Sequence, residues 1–223
     1  MILEEKKRYG SVCLLNIECT EPWEWDEGDA THVRVCLPAT RENQRIMRDR
    51  GFEFVDRMLG VSINLCRNRL DFKAMVRLKP ELIHGKKNEI LEIAKTSFPT
   101  DRRFQVTPDY DERLSQEILA SWIEELEESY VCLYKGQVIG FLALKDCADG
   151  HSFVHLAAVK EQYRMTGAAL SLYANAADMC KMRGQTYLDG RISSTNTAVM
   201  NLYARLGAAF LDPIDVFLKE VVK

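Results

Sequence analysis

The sequence FVHLAAVKEQYRMTGAAL, residues 153–170, joins two apolar segments through a short polar one. FVHLAAV is an apolar run of strand length, and residues 167–183 carry apolar residues at helical spacing, so a strand followed by a helix is predicted. The connection contains Arg164, a single glycine and two alanines, whereas a simple turn would use glycine with Asn or Asp. A cation beside small residues at such a junction indicates a possible ligand site.

A strand that turns into a helix through glycine exposes unpaired backbone N–H groups at the helix N-terminus, and these groups attract anions. The side chains of Gly167, Ala168 and Ala169 are small enough for phosphate oxygens to approach the backbone, and Arg164 adds a charged donor. The pattern predicts a diphosphate cradle, although it is neither a Walker loop nor a GxGxxG motif. A helix start whose small residues pack on the sheet is an equally good interpretation.

A second pattern lies in SSTNTAVMNLYARLGAAF, where Asn196 and Tyr203 are seven residues apart. Two turns of a helix place them on one face, while Val199 and Leu202 lie on an adjacent face that can pack in the core. We expect Asn196 and the Tyr203 hydroxyl to face the predicted cradle. The alternative is that Tyr203 is a core aromatic with its hydroxyl at the rim.

The remaining chain mixes strands and helices. The sequence predicts strands at 11–19, 32–38, 72–78 and 186–192, either a strand pair or one long bent strand at 52–65, and a hairpin at 130–146. It predicts helices at 39–50, 87–98, 111–129 and 196–207. Residues 208–221 are expected to form paired strands. Because hairpins alternate with crossover helices from residue 84 onward, we expect an α/β chain with a mixed α+β sheet.

Composition excludes several classes of protein. The net charge of −3 over 223 residues argues against a general nucleic-acid binder. Seven scattered cysteines without a CxxC motif predict free thiols in a reducing compartment rather than disulfides or zinc. The charged N-terminus lacks the apolar core of a signal peptide, and no apolar run approaches the roughly 20 residues that span a membrane. We therefore expect a cytoplasmic protein without a metal or a membrane partner.

Both motifs resemble those of the GNAT superfamily of acyl-CoA-dependent N-acyltransferases, over roughly residues 85–220. The family pattern V-x-x-x-x-[RQ]-x-x-G-x-[GA] is matched by Val159, Arg164, Gly167 and Ala169. The later pattern N-x(6)-Y…G is matched by Asn196, Tyr203 and Gly207. The resemblance implies a GNAT domain over residues 83–223.

The resemblance also implies acetyl-CoA as cosubstrate and a role for each matching residue. Tyr203 would protonate the departing CoA thiolate, and Asn196 would contact the cofactor arm. The backbone amides that would hold the pyrophosphate belong to Arg164, Met165, Thr166, Gly167, Ala168 and Ala169. The backbone amides that would bind the pantetheine arm and polarise the thioester carbonyl belong to Leu156, Ala157, Ala158 and Val159.

No motif identifies the general base. His155, on the predicted strand, is a candidate, but alternation along residues 153–159 does not decide which face it occupies. A structural histidine and a water relay are the alternatives. His151 lies four residues earlier, but a strand would not turn the two histidines into a metal pair.

The first 82 residues partly repeat the end of the chain. Residues 45–63 align with residues 201–219 when Gly51 is placed on Gly207, and the position of Tyr203 is then taken by Met47. Asn196 falls on Thr40 and Asp212 on Asp56, and no second cradle precedes this segment. We expect a truncated, degenerate GNAT-like half over residues 1–82, serving as scaffold or substrate wall; chance similarity is the alternative.

This two-part layout is similar to that of the TDP-fucosamine acetyltransferase group, which acetylates nucleotide-linked amino sugars. In DRRFQV, residues 101–106, Arg102 and Arg103 are either acceptor-phosphate ligands or solvated cations. The resemblance implies an N-acetyltransferase for a primary amine of a small molecule, monomeric or homodimeric. The alternative is a non-catalytic acyl-CoA-binding regulatory module.

Overall fold

The computed structural model describes residues 2–22, 24–67, 71, 81–98, 101–107 and 111–221. The strands of this part are β1 (Ile2–Tyr9), β2 (Val12–Cys19), β3 (His32–Pro38), β4 (Glu53–Asn64), β5 (Glu81–His84), β6 (Glu128–Tyr134), β7 (Gln137–Asp146), β8 (His151–Val159), β9 (Tyr187–Ser193) and β10 (Ala209–Glu220). The helices are α1 (Arg41–Asp49), α2 (Lys87–Ser97), α3 (Glu112–Glu124), α4 (Ala168–Met182) and α5 (Thr197–Arg205). Short 3₁₀ turns cover Arg102–Phe104 and Glu161–Thr166.

The described strands form one mixed sheet in the order β1-β2-β3-β10-β4-β9-β8-β7-β6-β5. The pairs β2–β3 and β8–β9 are parallel, and the other neighbouring pairs are antiparallel. The predicted mixed α+β sheet is therefore confirmed. No helix in the described ranges is long and apolar enough to cross a membrane.

The C-terminal strand corrects one prediction and adds a long-range connection. Residues 208–221 were expected to pair with each other, but they form the single strand β10, which lies between β3 and β4. Asp212 and Pro213 suggested a turn; Asp212 does take a positive φ of 41°, but the result is a register shift between Leu211 and Ile214. A bulge of this kind bends a strand without ending it.

Other differences concern the ends of elements. The first strand, β1, was not predicted, because its charged residues resemble a solvated tail. Helix α3 ends at Glu124 rather than near residue 129, since β6 begins at Glu128. The strand predicted at 72–78 lies outside the described residues.

The two faces of the sheet are covered by different helices. Along β7, Leu142 and Leu144 belong to the core that includes residues of α4 and α5. Phe141 and Ala143 belong to a second core with α2 and α3. Strand side chains alternate between faces, so both faces are buried at the centre of the sheet.

The unit β3–α1–β4 has the same dimensions as the unit β9–α5–β10. Helices α1 and α5 each span nine residues, and β4 and β10 each span twelve. Helix α5 begins 156 residues after α1, at residue 197 rather than 41, and β10 begins 156 residues after β4, at residue 209 rather than 53. The pairing of β4 with β10 is symmetric under exchange of the two units. Phe54 lies opposite Phe217, and their counterparts in the other unit, Phe210 and Val61, also lie opposite each other.

Candidate active site

The parallel strands β8 and β9 separate halfway along β8. Their pairing runs from His151 opposite Tyr187 to Val154 opposite Gly190, while β8 continues to Val159 and pairs only with β7. In the described part, the β9-facing edge of residues 155–159 therefore has no strand partner. A cavity of about 50 Å³, here called the small cavity, lies at this opening. Exposed strand edges of this kind offer backbone groups to a ligand.

A β-bulge decides which face of β8 carries His155. Leu156 lies opposite Ala143 and Val154 opposite Leu144, so His155 is an extra residue in the strand. Alternation therefore slips by one residue: Val154 packs in the core that contains α4, whereas Leu156 packs in the core that contains α2. His155 is exposed, and it lines both the small cavity and a much larger cleft.

The side chain of Tyr203 is almost completely buried behind β9. A Cβ placed on Gly190 would lie 2.7 Å from the Tyr203 hydroxyl oxygen. The ring makes an edge contact with Tyr173 of α4, with 5.2 Å between centroids, and both tyrosines line the small cavity. Burial and the neighbouring Tyr173 raise the pKa of Tyr203 well above its usual value, so this hydroxyl stays protonated.

Asn196 is the N-cap of α5 and lies at the same cavity. Its side-chain oxygen accepts a hydrogen bond from the backbone N–H of Val199 at 3.1 Å. Capping of this kind satisfies one of the free donors of a helix N-terminus. Asn196 and Tyr203 thus both line the small cavity, which does not include the predicted cradle, and Asn196 precedes the helix rather than belonging to it.

The predicted diphosphate cradle lies at the far end of β8. Gly167 has a φ of 86°, which favours glycine, and it precedes α4 without any side-chain cap. The first backbone N–H groups of an α-helix have no intrahelical partner, and here they belong to Ala168, Ala169 and Leu170. The Ala168 side chain is fully buried in the core, so the packing interpretation of the small residues is correct at that position.

Arg164 folds back onto the strand that precedes the cradle. Its Nε donates to the carbonyl oxygen of Val159 at 3.2 Å. Met165 and Thr166 are exposed in the turn. The structure therefore separates the predicted site into two groups. His155, Leu156, Ala157, Asn196 and Tyr203 surround the small cavity, whereas residues 164–169 lie beyond Val159. Ala158 packs on the opposite face, toward α2 and α3.

Arg103 is not a solvated cation, whereas Arg102 is exposed. Arg102 donates to the carbonyl oxygen of Val55 at 2.8 Å. Arg103 forms a bidentate ion pair with Asp101, at 2.7 Å for the closest pair of atoms, and both side chains are largely buried. Burial raises the pKa of the Asp101 carboxyl, but the charge and hydrogen bonds of Arg103 outweigh it, so the pKa is lowered.

Sequence reasoning missed two residues of this site, and it left the role of Arg103 open because the short charged segment around it shows no period. Tyr173 was assigned only to an apolar helix face. Gly190 carried a usable signal, because glycine inside a strand often marks a close approach of another group.

A cleft of about 940 Å³, here called the large cleft, adjoins the small cavity. Residues of strands β1 to β4 and β7 to β10 and of helix α3 line it, among them His155 and Phe153 of β8. Although His155 is exposed toward the cleft, the surrounding protein removes part of its ring from water; this desolvation and the nearby Lys145 lower its pKa, while Glu127 raises it, and the net direction is down. His155 is therefore neutral at neutral pH and can accept a proton from a group in the cleft.

Comparison with known sequences identifies one family. A family model described as the Acetyltransferase (GNAT) family matches residues 87–208, more than half of the chain. No curated protein matches the chain.

Three solved structures share the fold. A GCN5-related N-acetyltransferase from Sphaerobacter thermophilus is 15% identical with a TM-score of 0.63, covering 85% of this chain and 59% of that chain. A glucosamine N-acetyltransferase region of a fungal multi-domain GH3 β-N-acetylglucosaminidase is 13% identical with a TM-score of 0.66, covering 98% and 31%. A tandem GNAT protein from the clavulanic acid biosynthesis pathway is 12% identical with a TM-score of 0.55, covering 87% and 66%. At these identities the similarity concerns the fold alone, and the chain spans only part of each of these three proteins.

Proposed function

Because the chain belongs to the GNAT acetyltransferase family, we propose that it transfers the acetyl group of acetyl-CoA to a primary amine of a small molecule. The observation that carries this proposal is the opening between β8 and β9, with the protonated Tyr203 on one side and His155 on the other. An acid and a base that face one opening suit a reaction that moves a proton at each end.

Each group has one part in the proposed reaction. The acceptor nitrogen forms its bond to the acetyl carbon while the carbon–sulfur bond breaks. Tyr203 gives its proton to the departing sulfur, and His155 takes a proton from the nitrogen. Because His155 is exposed in the large cleft, that proton can pass to solvent. The products are an amide and free CoA.

The chain offers two places for the rest of acetyl-CoA. We assign the pyrophosphate to the uncapped N-terminus of α4 with Gly167 and Arg164, and the arm to the free edge of β8 over residues 156–159. Asn196 adjoins the arm. The φ of Gly167 and the missing side-chain cap support this assignment, since both leave backbone donors accessible.

Our candidate acceptor is an amino sugar, either free or linked to a nucleotide. The volume of the large cleft, about 940 Å³, supports an acceptor of that size, because pockets for small molecules span about 300–1,000 Å³. The glucosamine N-acetyltransferase region with the same fold also supports it.

We also propose that residues 1–82 are a degenerate half-GNAT unit that serves as a wall for the acceptor. The matching bounds of α1 and α5 and the symmetric pairing of β4 with β10 support the repeat. So do the equivalent N-caps, Thr40 and Asn196, which each accept from the third residue of the helix. The buried Met47 stands where the second unit has Tyr203, so the first unit lacks the acid. A cytoplasmic location and a monomeric or homodimeric state stay predictions.

The test combines binding and turnover. Acetyl-CoA binding is measured by calorimetry, and release of the CoA thiol is followed against a panel of amines, with wild type and Tyr203→Phe in parallel. We expect binding by both proteins and a loss of about 10²–10⁴ in kcat for the variant. Absence of acetyl-CoA binding contradicts the proposal. Binding without turnover of any amine favours the non-catalytic module.

A further inference from the structure

Arg34 of β3 differs from the other basic side chains of the large cleft. The other four each form an ion pair with a carboxylate of the chain: Lys7 with Glu125, Arg103 with Asp101, Lys145 with Glu127, and Arg191 with Glu18. Within the described residues, Arg34 has no ion pair.

The hydrogen bonds of Arg34 are also incomplete. Its Nη1 donates to the backbone carbonyl oxygen of Arg103 at 2.8 Å. Its Nε is buried and has no partner in the described part of the chain. Arg34 also helps to lower the pKa of Asp101, but that carboxylate is already bound in a bidentate manner by Arg103. A partly buried guanidinium with unused donors is unfavourable, so Arg34 is available to an anion in the cleft.

The position of Arg34 connects it to the proposed reaction site. The Arg34 guanidinium contacts the backbone of Arg103, and Arg103 lines both the large cleft and the small cavity beside His155. In the sheet order, β3 and β8 are four strand spacings apart, which on a flat sheet is about 19 Å. The side chains of Arg34 and His155 both line the cleft and cover part of this distance, so a ligand that contacts both needs its two polar groups several bonds apart.

We infer that the acceptor amine carries an anionic group, a carboxylate or a phosphate, several bonds from its nitrogen, and that Arg34 binds this group in the large cleft. The inference rests on the proposed function, which supplies the amine at His155. An arginine fork suits both anions because it binds them in a bidentate manner. Such an acceptor places its anion on the unpaired cation and its amine on the exposed histidine.

The test compares amines that carry an anionic group, called charged below, with analogues that lack it, called neutral below. One pair is glucosamine 6-phosphate and glucosamine; the other is 6-aminohexanoate and its amide. For each pair, the ratio of the two kcat/KM values is measured in wild type, Arg34→Gln and Arg34→Lys. We expect at least one charged amine to be preferred by about ten- to hundredfold, a ratio near one in Arg34→Gln, and partial retention in Arg34→Lys.

A ratio is insensitive to the folded fraction, so a partly unfolded Arg34→Gln still gives a result. Arg113→Gln, which removes a highly exposed arginine of α3, is the matched control and should leave every ratio unchanged. The preferred pair distinguishes phosphate from carboxylate. A ratio near one in wild type, or one that Arg34→Gln leaves unchanged, overturns the inference while the acetyltransferase proposal stands.

If no amine is turned over, the proposed function is contradicted. The inference about Arg34 is then tested by the binding of the amines alone. The same four amines are titrated into wild type and Arg34→Gln by calorimetry. Tighter binding of a charged amine that Arg34→Gln abolishes supports the anion site. Equal binding of charged and neutral amines, or binding of neither, overturns it.

Discussion

The Tyr203 hydroxyl and Gly190 lie so close that no side chain fits between them: a Cβ on Gly190 would be 2.7 Å from the hydroxyl oxygen. Gly190 is also the last residue of β9 that pairs with β8. The glycine thus allows Tyr203 to reach the point where the two strands separate.

Gly190→Ala should displace the Tyr203 hydroxyl. We expect about 1–3 kcal/mol of destabilisation from overpacking and a lower kcat, measured by chemical denaturation and thiol release. Without the hydroxyl, the nearest remaining atom is Val61 Cγ2 at 3.4 Å, which is an ordinary contact. In a Tyr203→Phe background the alanine should therefore cost little stability, and an equal cost in both backgrounds contradicts the proposed contact.

The pH profile should report His155. Burial and Lys145 lower its pKa below 6.5, and a protonated imidazole cannot accept the proton of the amine. Activity should therefore persist below pH 6.5 and fall only as the pH drops through the lowered pKa. His155→Gln should reduce kcat/KM and remove this acid limb. His151 lies on the same strand as His155 and contacts Asp189 of β9, and His151→Gln should keep this limb. An unchanged limb in His155→Gln excludes His155 as the base.

Removing only one partner of the buried ion pair Asp101–Arg103 should destabilise the protein strongly. Asp101→Ala leaves the Arg103 charge without its partner, and we expect a loss of about 3–5 kcal/mol in the free energy of unfolding. Replacing both, as Asp101→Leu with Arg103→Met, should cost less. Glu161→Ala, which removes an exposed carboxylate, is the control.

The same pair predicts a direction with pH. Since the pKa of Asp101 is lowered in the folded chain, its contribution to stability is present above the usual carboxyl pKa. It is lost as the pH falls through the lowered value. Urea unfolding between pH 2 and 6 measures this slope, and a slope equal in wild type and the double variant contradicts it.

Ala169→Leu should weaken acetyl-CoA binding, because a larger side chain beside Gly167 would obstruct the proposed pyrophosphate position. Overpacking of about 1–3 kcal/mol corresponds to roughly ten- to hundredfold in affinity, measured by calorimetry. Met165→Leu, at a fully exposed position of the same turn, should bind normally. Intact affinity in Ala169→Leu would remove the cradle assignment.

Residues 83–223 should not fold alone. The strand β10 lies between β3 and β4, and β4 also pairs with β9, so this fragment would expose both edges of β10 and one edge of β9. We expect an unfolded or aggregated fragment by circular dichroism and a single unfolding transition for the whole chain. A fragment that unfolds cooperatively by itself contradicts this prediction.

Local patterns in the sequence were sufficient for the elements near the site. Apolar periodicity and the cap residues predicted α4, α5 and the strands before them, because helix and strand periods are properties of neighbouring residues. Asn196, the N-cap of α5, and Tyr203 within α5 both line the small cavity. Those positions were also the ones that matched the family patterns, and the family is now established.

Long-range contacts decided the rest. The bulge at His155 and the insertion of β10 between β3 and β4 join residues far apart in the chain. The burial of the neighbouring pair Asp101 and Arg103 depends on the elements that pack around it. None leaves a periodic signal, because each depends on which surface meets which after the sheet has formed. Residue types and spacing specified the family and the two motifs. Packing across the sheet alone determined that Tyr203, His155 and Arg34 lie around adjoining cavities.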